Sequence, residues 1–376
     1  MKEITPRNTP PFRFDVVGSF LRPERLKTAR AAFTAGQIQA AELKQVEDEE
    51  ITQLIAHQIA SGLHAITDGE FRRSWWHLDF MWGLNGVEQA TPESGYQFQS
   101  EVTRAETARL TGKISGENHP FVDHFKFVQS LATDGVIARQ TIPAPAQFLA
   151  EIDRPENRPV TDQFYPDREA LYTDIAAAYK QVIEDLYAAG CRNVQFDDCT
   201  WGMLCDPEFA KAVEAAGGSI QAIADVYLHV NNLALAGLPA DLTMTTHVCR
   251  GNYHSTWASS GGYAPIAETL FGKENVTGYY LEFDTDRAGD FQPLQHVSDG
   301  KLVVLGLVSS KIGELEDKAQ IIARINEAAK VLPLDRLCLS PQCGFASTEE
   351  GNILTEAQQW DKIAFIREIA EEVWGS

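Results

Sequence analysis

No apolar run in the 376 residues approaches the roughly 20 that a membrane span needs. The opening stretch, MKEITPRNTPPFRF, lacks the apolar core of a secretion signal, so a cytoplasmic protein is expected. Positive charge is in deficit: 32 Lys and Arg face 53 Asp and Glu, a net charge of −21. Such a surface repels nucleic acid and anionic membrane, and neither is expected as a partner. No G-x-G-x-x-G follows the first strand-like run and no Walker-type loop occurs, which removes support from nucleotide-binding open sheets. Short repeats, low-complexity tracts and Gly/Ser linkers are also missing, so residues 1–376 are expected to form a single domain. Cysteine is limited to six: Cys191, Cys199, Cys205, Cys249, Cys338 and Cys343. In a long chain without a signal segment these read as unpaired thiols or metal ligands rather than a disulfide framework.

What the chain does have is a recurring pattern of short apolar or β-branched runs, each ending in polar residues and mostly followed by a helical stretch. The runs are Asp15–Phe20, His64–Glu70, Ile137–Pro143, Asn193–Asp198, Asp241–Cys249, Val276–Phe283, Leu302–Ser310 and Leu337–Phe345. Helices are predicted over Ala40–Ser61, Arg168–Ala189, Pro207–Leu235, Glu314–Val331 and Thr355–Val373. About eight strands alternating with helices predict a parallel α/β architecture, with a closed (β/α)8 TIM barrel ahead of a doubly wound open sheet. The polar segment 89–118 is expected to form a hairpin or excursion beside the barrel.

In barrels of this kind the reactive groups stand at the carboxyl ends of the strands. Those ends hold Ser19, Asp68 with Glu70, Asp197 with Asp198, His247 with Cys249, Glu282, Ser309 with Ser310, and Cys343. His247 and Cys249 are two apart on a predicted strand, so both side chains share a face. With Cys343 and Glu282 they offer one imidazole, two thiolates and one carboxylate, a set suited to tetrahedral zinc. The plain alternatives are buried small cysteines, a hydrogen-bonded core histidine, and a Glu282 paired with Arg250 or Arg287. Ligands drawn from three distant strand ends point to a catalytic metal rather than a structural one, whose ligands cluster in sequence. A thiolate-rich shell makes zinc a poor generator of hydroxide but lets it bind a substrate thiol as thiolate. Asp197 and Asp198 either bind a substrate ammonium or cap the next helix. Ser19, beside Gly18, is a substrate contact or a turn serine. Arg72 and Arg73 are ion-paired residues or anion holders. The segment Gly251–Tyr263, with His254 and Trp257, is read as a flap over the site.

These residues resemble the catalytic barrel of the cobalamin-independent methionine synthases. The likeness runs from V-G-S-F-L-R-P at the first strand to S-P-Q-C-G-F at the eighth, and H-V-C, L-E-F-D and P-Q-C-G are its most specific parts. T-D-G-E-F-R-R-S-W-W and H-V-C-R-G-N-Y-H-S-T-W-A-S-S-G-G-Y further resemble a short single-barrel branch of that family. The resemblance implies zinc on His247, Cys249, Glu282 and Cys343. It also implies that Ser19, Glu70 and Asp197 hold the amino-acid end of homocysteine, whose thiol takes a methyl group from N5 of a reduced folate to give methionine.

Three departures bear on the methyl donor. Full-length members carry a second, N-terminal barrel, for which 376 residues are expected to leave no room. The family's proton-donating histidine at the seventh strand is replaced by L-V-S-S-K, so Ser309, Ser310 or Lys311 would have to serve. The family's D-E-P after the fourth strand is D-D-C, which brings Asp198 into the candidate catalytic set with Ser309 and Lys311. Another methyl carrier, alkyl transfer to a different thiol as in the similar epoxyalkane:coenzyme M transferases, and a non-catalytic zinc protein stay open. So does the oligomeric state, homo-oligomers included.

Overall fold

The computed structural model describes residues 7–375; Met1–Pro6 of the opening stretch and Ser376 lie outside the described residues. Ten strands order the fold: β1 (Ala65–Ile66), β2 (Asn85–Ala90), β3 (Thr107–Ser115), β4 (Ile137–Ala138), β5 (Gln140–Pro143), β6 (Asn193–Asp198), β7 (Thr243–Val248), β8 (Gly278–Glu282), β9 (Leu302–Val308) and β10 (Leu337–Pro341). Strands β5 to β10 form one parallel sheet in chain order. Parallel strands covered on both faces need no alternation, and the seven residues of β9 (LVVLGLV) are all buried. The register carries the strand ends to one edge: Asp197 stands opposite His247, His247 opposite Tyr280, and Glu282 opposite Gly306. The short β1 pairs in parallel with β4, and only Arg139 separates β4 from β5.

The first predicted strand, Asp15–Phe20, is not a regular strand. It touches its neighbours through a bridge from Phe14 to Leu339, the Asp15 N–H on the Leu339 carbonyl at 3.0 Å, and the Phe20 N–H on the Gly69 carbonyl at 3.1 Å. Side chains have taken the groups a ladder would use. The Asp15 carboxylate accepts the Val16 N–H at 2.7 Å, the Arg139 guanidinium takes the Val16 carbonyl, and the Thr67 hydroxyl takes that of Gly18 at 2.5 Å. Arg139, Asp15 and the Tyr280 hydroxyl close a buried polar triangle, with 2.9 Å from Arg139 to Tyr280 and 2.7 Å from Tyr280 to Asp15.

The helix Arg168–Ala188 starts where the Asp167 carboxylate accepts the Glu169 N–H at 3.1 Å. The span predicted as one helix over Pro207–Leu235 is two, Pro207–Ala215 and Ile220–Leu235. Gly217, at φ +80°, ends the first, and Ser219 caps the second by accepting the Ala222 N–H at 3.4 Å. The helix expected from Glu314 begins at Lys318, where Asp317 caps the Gln320 N–H at 2.9 Å. The polar segment 89–118 carries β3, which pairs antiparallel with β2, a strand that begins ahead of the segment at Asn85. No helix among the described residues is long and apolar enough to cross a membrane.

Candidate metal centre and the cavity beside it

The ends of β7, β8 and β10 bring His247, Cys249, Glu282 and Cys343 together, with one ligand atom from each lying within 4.8 Å of all the others. All four side chains are buried. Cys249, one residue beyond β7, keeps the strand pairing through its N–H on the Asp198 carbonyl at 3.4 Å. Cys343 reaches the Cys249 sulfur at 3.5 Å from the turn after β10. The His247 Nδ1 lies 3.2 Å from the Tyr280 carbonyl, which can only accept, so this nitrogen carries the proton. That leaves Nε2 as a buried lone pair with no partner among the described residues. A backbone carbonyl on one ring nitrogen and an unsatisfied second nitrogen facing two thiols is the pattern of a metal-binding histidine. The residues therefore fit a zinc ion.

Burial alone would raise the Glu282 carboxyl, but the charges of Lys311, Arg250 and Arg287 outweigh it and hold the group below its ordinary value. Its Oε1 accepts the Arg250 N–H at 2.8 Å and its Oε2 lies 3.3 Å from the Arg287 guanidinium. Of the two ion pairs considered for Glu282 in place of a metal, the one with Arg287 is present, whereas Arg250 offers only its backbone N–H and turns its guanidinium to Gly261 and Tyr263. The thiols move the other way. Cys249 is held well above the usual thiol range by its hydrogen bond with Cys199, with burial adding to it, and Cys343 by its hydrogen bond with Cys249 and then by burial.

A cavity of about 640 Å³ opens beside this cluster. His247, Cys249 and Cys343 form part of its wall, as do Ser19, Glu70 and Asp197. Gly344 explains how Ser19 comes so close, since a Cβ there would sit 1.9 Å from the serine oxygen. Glu70 adopts a left-handed backbone at φ +62°, uncommon for a residue with a side chain, in a turn tied by its own N–H to the Asp68 carboxylate at 2.8 Å. Its Oε2 is buried and unpartnered, while Oε1 faces Arg73 at 3.3 Å and accepts the Thr141 hydroxyl at 3.1 Å. Asp197 accepts from the Gln195 amide at 2.8 Å. Burial pushes Glu70 and Asp197 up to about 7, and each acid raises the other or is raised by a neighbouring one. Two buried acids on one wall suit a cationic group.

Asp198, Ser309, Ser310 and Lys311 are not on that wall. Asp198 points the other way along its strand and caps the next helix, accepting the Thr200 N–H at 3.0 Å and the Asn231 amide at 3.1 Å. Of the adjacent aspartates, Asp198 takes the capping role considered for the pair, while Asp197 faces the cavity. The Lys311 ammonium is buried and donates to the Asn252 side-chain amide oxygen at 3.2 Å; the Ser310 hydroxyl donates to the Gly344 carbonyl at 2.9 Å; the Ser309 hydroxyl accepts the Lys311 N–H at 3.2 Å. Arg72 pairs with Glu47 at 3.1 Å and with Asp48, and Arg73 with Glu70. Neither arginine is left for an anion. In the Gly251–Tyr263 segment, His254 pairs with Glu101 at 3.0 Å and Trp257 lies under Arg287.

The far wall holds residues that sequence reasoning passed over: Trp75, Trp76 and His77 from the turn after β1, Tyr96 and Phe98 from the excursion, and Cys199. Residues of the excursion therefore form part of the cavity lining. His77 Nε2 lies 3.1 Å from the Tyr96 hydroxyl, which donates to Glu151 at 2.9 Å. Burial, with Arg154 nearby, lowers His77 to about 3 and keeps it neutral. Cys199 follows β6 directly, so the D-D-C motif was the available signal for it.

Residues 12–364 match the family described as the cobalamin-independent synthase catalytic domain. This chain belongs to the cobalamin-independent methionine synthase family. It is 45% identical over 367 residues to Bacillus subtilis YxjH, a protein of uncharacterized function, covering 97% of this chain and 95% of that one. A Listeria monocytogenes crystal structure, provisionally assigned as a vitamin-B12-independent methionine synthase, is 38% identical with a TM-score of 0.76, covering 97% of this chain and 99% of that one. A Shewanella B12-independent methionine synthase in complex with selenomethionine shares the fold, with 19% identity, a TM-score of 0.71, and coverage of 96% and 97%.

Proposed function

We propose that this family member is a zinc-dependent methyltransferase that moves a methyl group to the thiol of homocysteine, forming methionine. The observation that carries the reading is the orphaned His247 Nε2 within a two-thiol, one-carboxylate cluster that opens onto an acid-lined cavity. Zinc bound there by His247, Cys249, Glu282 and Cys343 supplies a Lewis acid that lowers the pKa of a substrate thiol. Glu70 and Asp197 hold the substrate ammonium, which lets both acids ionise, and Ser19 contacts the same end of the molecule. The aromatic wall of Trp75, Trp76, Tyr96 and Phe98 takes the methyl donor, by default 5-methyltetrahydrofolate, polyglutamated or not. Asp198, Ser309 and Lys311 act on the reaction only through the residues they hold.

The same reading includes a single domain and a sheet closed as a (β/α)8 barrel. Closure is supported by the Phe14–Leu339 bridge, the Phe20–Gly69 hydrogen bond and the Asp15–Arg139–Tyr280 triangle reaching across the interior. A cytoplasmic location accords with six unpaired cysteines.

Coenzyme M is the competing thiol. Its sulfonate would meet Glu70 and Asp197, while Arg72 and Arg73 are already paired, so homocysteine is favoured. The test is methionine formation by zinc-loaded protein from homocysteine and 5-methyltetrahydrofolate, mono- or triglutamylated, or another methyl carrier, with coenzyme M as competitor. Methionine should appear, with little inhibition by coenzyme M. Failure with every donor, or preferential alkylation of coenzyme M, would overturn the proposal.

A further inference from the structure

A third thiol stands beside the metal cluster. Cys199 follows Asp198, which stands opposite Val248, so it lies beside Cys249 at the strand ends, and it lines the same cavity as His247, Cys249 and Cys343, although its sulfur is not part of the four-residue cluster. Among the six cysteines it alone is not fully buried, and it lines the cavity. Its backbone is fixed, with the N–H on the Gln147 side-chain oxygen at 3.2 Å and the neighbouring Asp198 carbonyl held by the Cys249 N–H at 3.4 Å. The cluster's carboxylate is meanwhile committed elsewhere, one oxygen to the Arg250 N–H and the other to Arg287. A carboxylate shared with a guanidinium is a weakened ligand, and zinc favours thiolate. The unpartnered, buried His247 Nε2 is independent evidence that an ion belongs here.

We propose that Cys199 is an exchangeable zinc ligand that occupies the substrate's coordination position until a thiol arrives. This rests on the zinc-dependent reading above. In the exchange the zinc–Cys199 bond breaks and a bond from zinc to the substrate sulfur forms. The substrate's thiol proton passes to the Cys199 sulfur, so charge and protons balance and no oxidant or reductant is required. The arrangement keeps water off the metal between turnovers and gives the incoming thiol a proton acceptor already inside the cavity.

Zinc-edge X-ray absorption on the zinc-loaded full chain tests this, with selenohomocysteine as the probe because selenium is distinguishable from protein sulfur. Wild type at rest should show three sulfur neighbours, as expected for a shell of three thiolates, and Cys199→Ala two. On adding the probe, wild type should exchange one sulfur for one selenium, whereas Cys199→Ala should gain selenium without losing sulfur. Two sulfurs in resting wild type overturn the proposal whether or not the variant folds. Three sulfurs in resting Cys199→Ala, or selenium entry into wild type with no sulfur lost, overturn it too. Absence of selenium from both proteins would instead count against thiol activation itself, so the two failures are separable.

Discussion

Replacing Asp197 with asparagine should stabilise the protein while damaging substrate binding. Asn is nearly isosteric and keeps an oxygen for the Gln195 amide, which now bonds Asp197 at 2.8 Å. The carboxyl is raised from 3.8 to about 7, with burial the main cause. A raised acid makes the folded state hold its proton longer than the unfolded one. Stability from this group is therefore lost as pH climbs from about 4 to about 7 and is flat above that. At about 1.4 kcal/mol per pK unit the full shift corresponds to about 4 kcal/mol, and relief shared with Glu70 leaves about 2–4 kcal/mol for the variant to recover. Urea melts of Asp197→Asn and wild type should nearly coincide at about pH 4 and differ by that amount at about pH 8. Homocysteine binding should weaken at the higher pH by about 1–3 kcal/mol, at least several-fold. A variant less stable than wild type at the higher pH, or a gap independent of pH, would refute the reasoning.

Cys249→Ala and Cys343→Ala should each lose zinc in metal analysis after dialysis, together with activity; full zinc in both would reject the ligand set. Gly344→Ala places a methyl 1.9 Å from the Ser19 oxygen, so it should cost about 1–3 kcal/mol by overpacking and raise the homocysteine KM. An unchanged KM would separate Ser19 from the substrate. Arg139→Met leaves the buried Asp15 carboxylate without its cation, at 3.2 Å in the native protein, and should cost about 3–5 kcal/mol in denaturant melts. Adding Asp15→Asn should recover much of that loss, and no recovery would mean that the charge pair is not the cause.

The metal cluster was legible because strand ends and period-2 geometry act over a few residues: His247 and Cys249 had to share a face, and the polar ends of the other runs had to lie near the same rim. Asp197 and Asp198 show where such reasoning stops. Adjacent strand residues point to opposite faces, so one must face the cavity and the other meet a helix, but only the register with β7 decides which. The first strand was misjudged for a long-range reason: Arg139, 123 residues away, captures the Val16 carbonyl that a ladder would have used. The polar segment was expected to form a hairpin or excursion, yet nothing local says that Tyr96 will reach His77 and Glu151. Helix starts held where Asp167 and Thr355 cap the first turn, but failed at Glu314, because Asp317 is the cap there, and over Pro207–Leu235, where Gly217 and Ser219 could be read as interior residues.

The most direct test of thiol activation is a zinc–selenium distance. Zinc-loaded protein mixed with selenohomocysteine should show selenium in the metal's first coordination sphere by X-ray absorption, and Asp197→Asn should need more of the ligand to reach the same occupancy. A zinc shell that never acquires selenium, at concentrations that saturate binding by calorimetry, would contradict a thiol-activating metal centre.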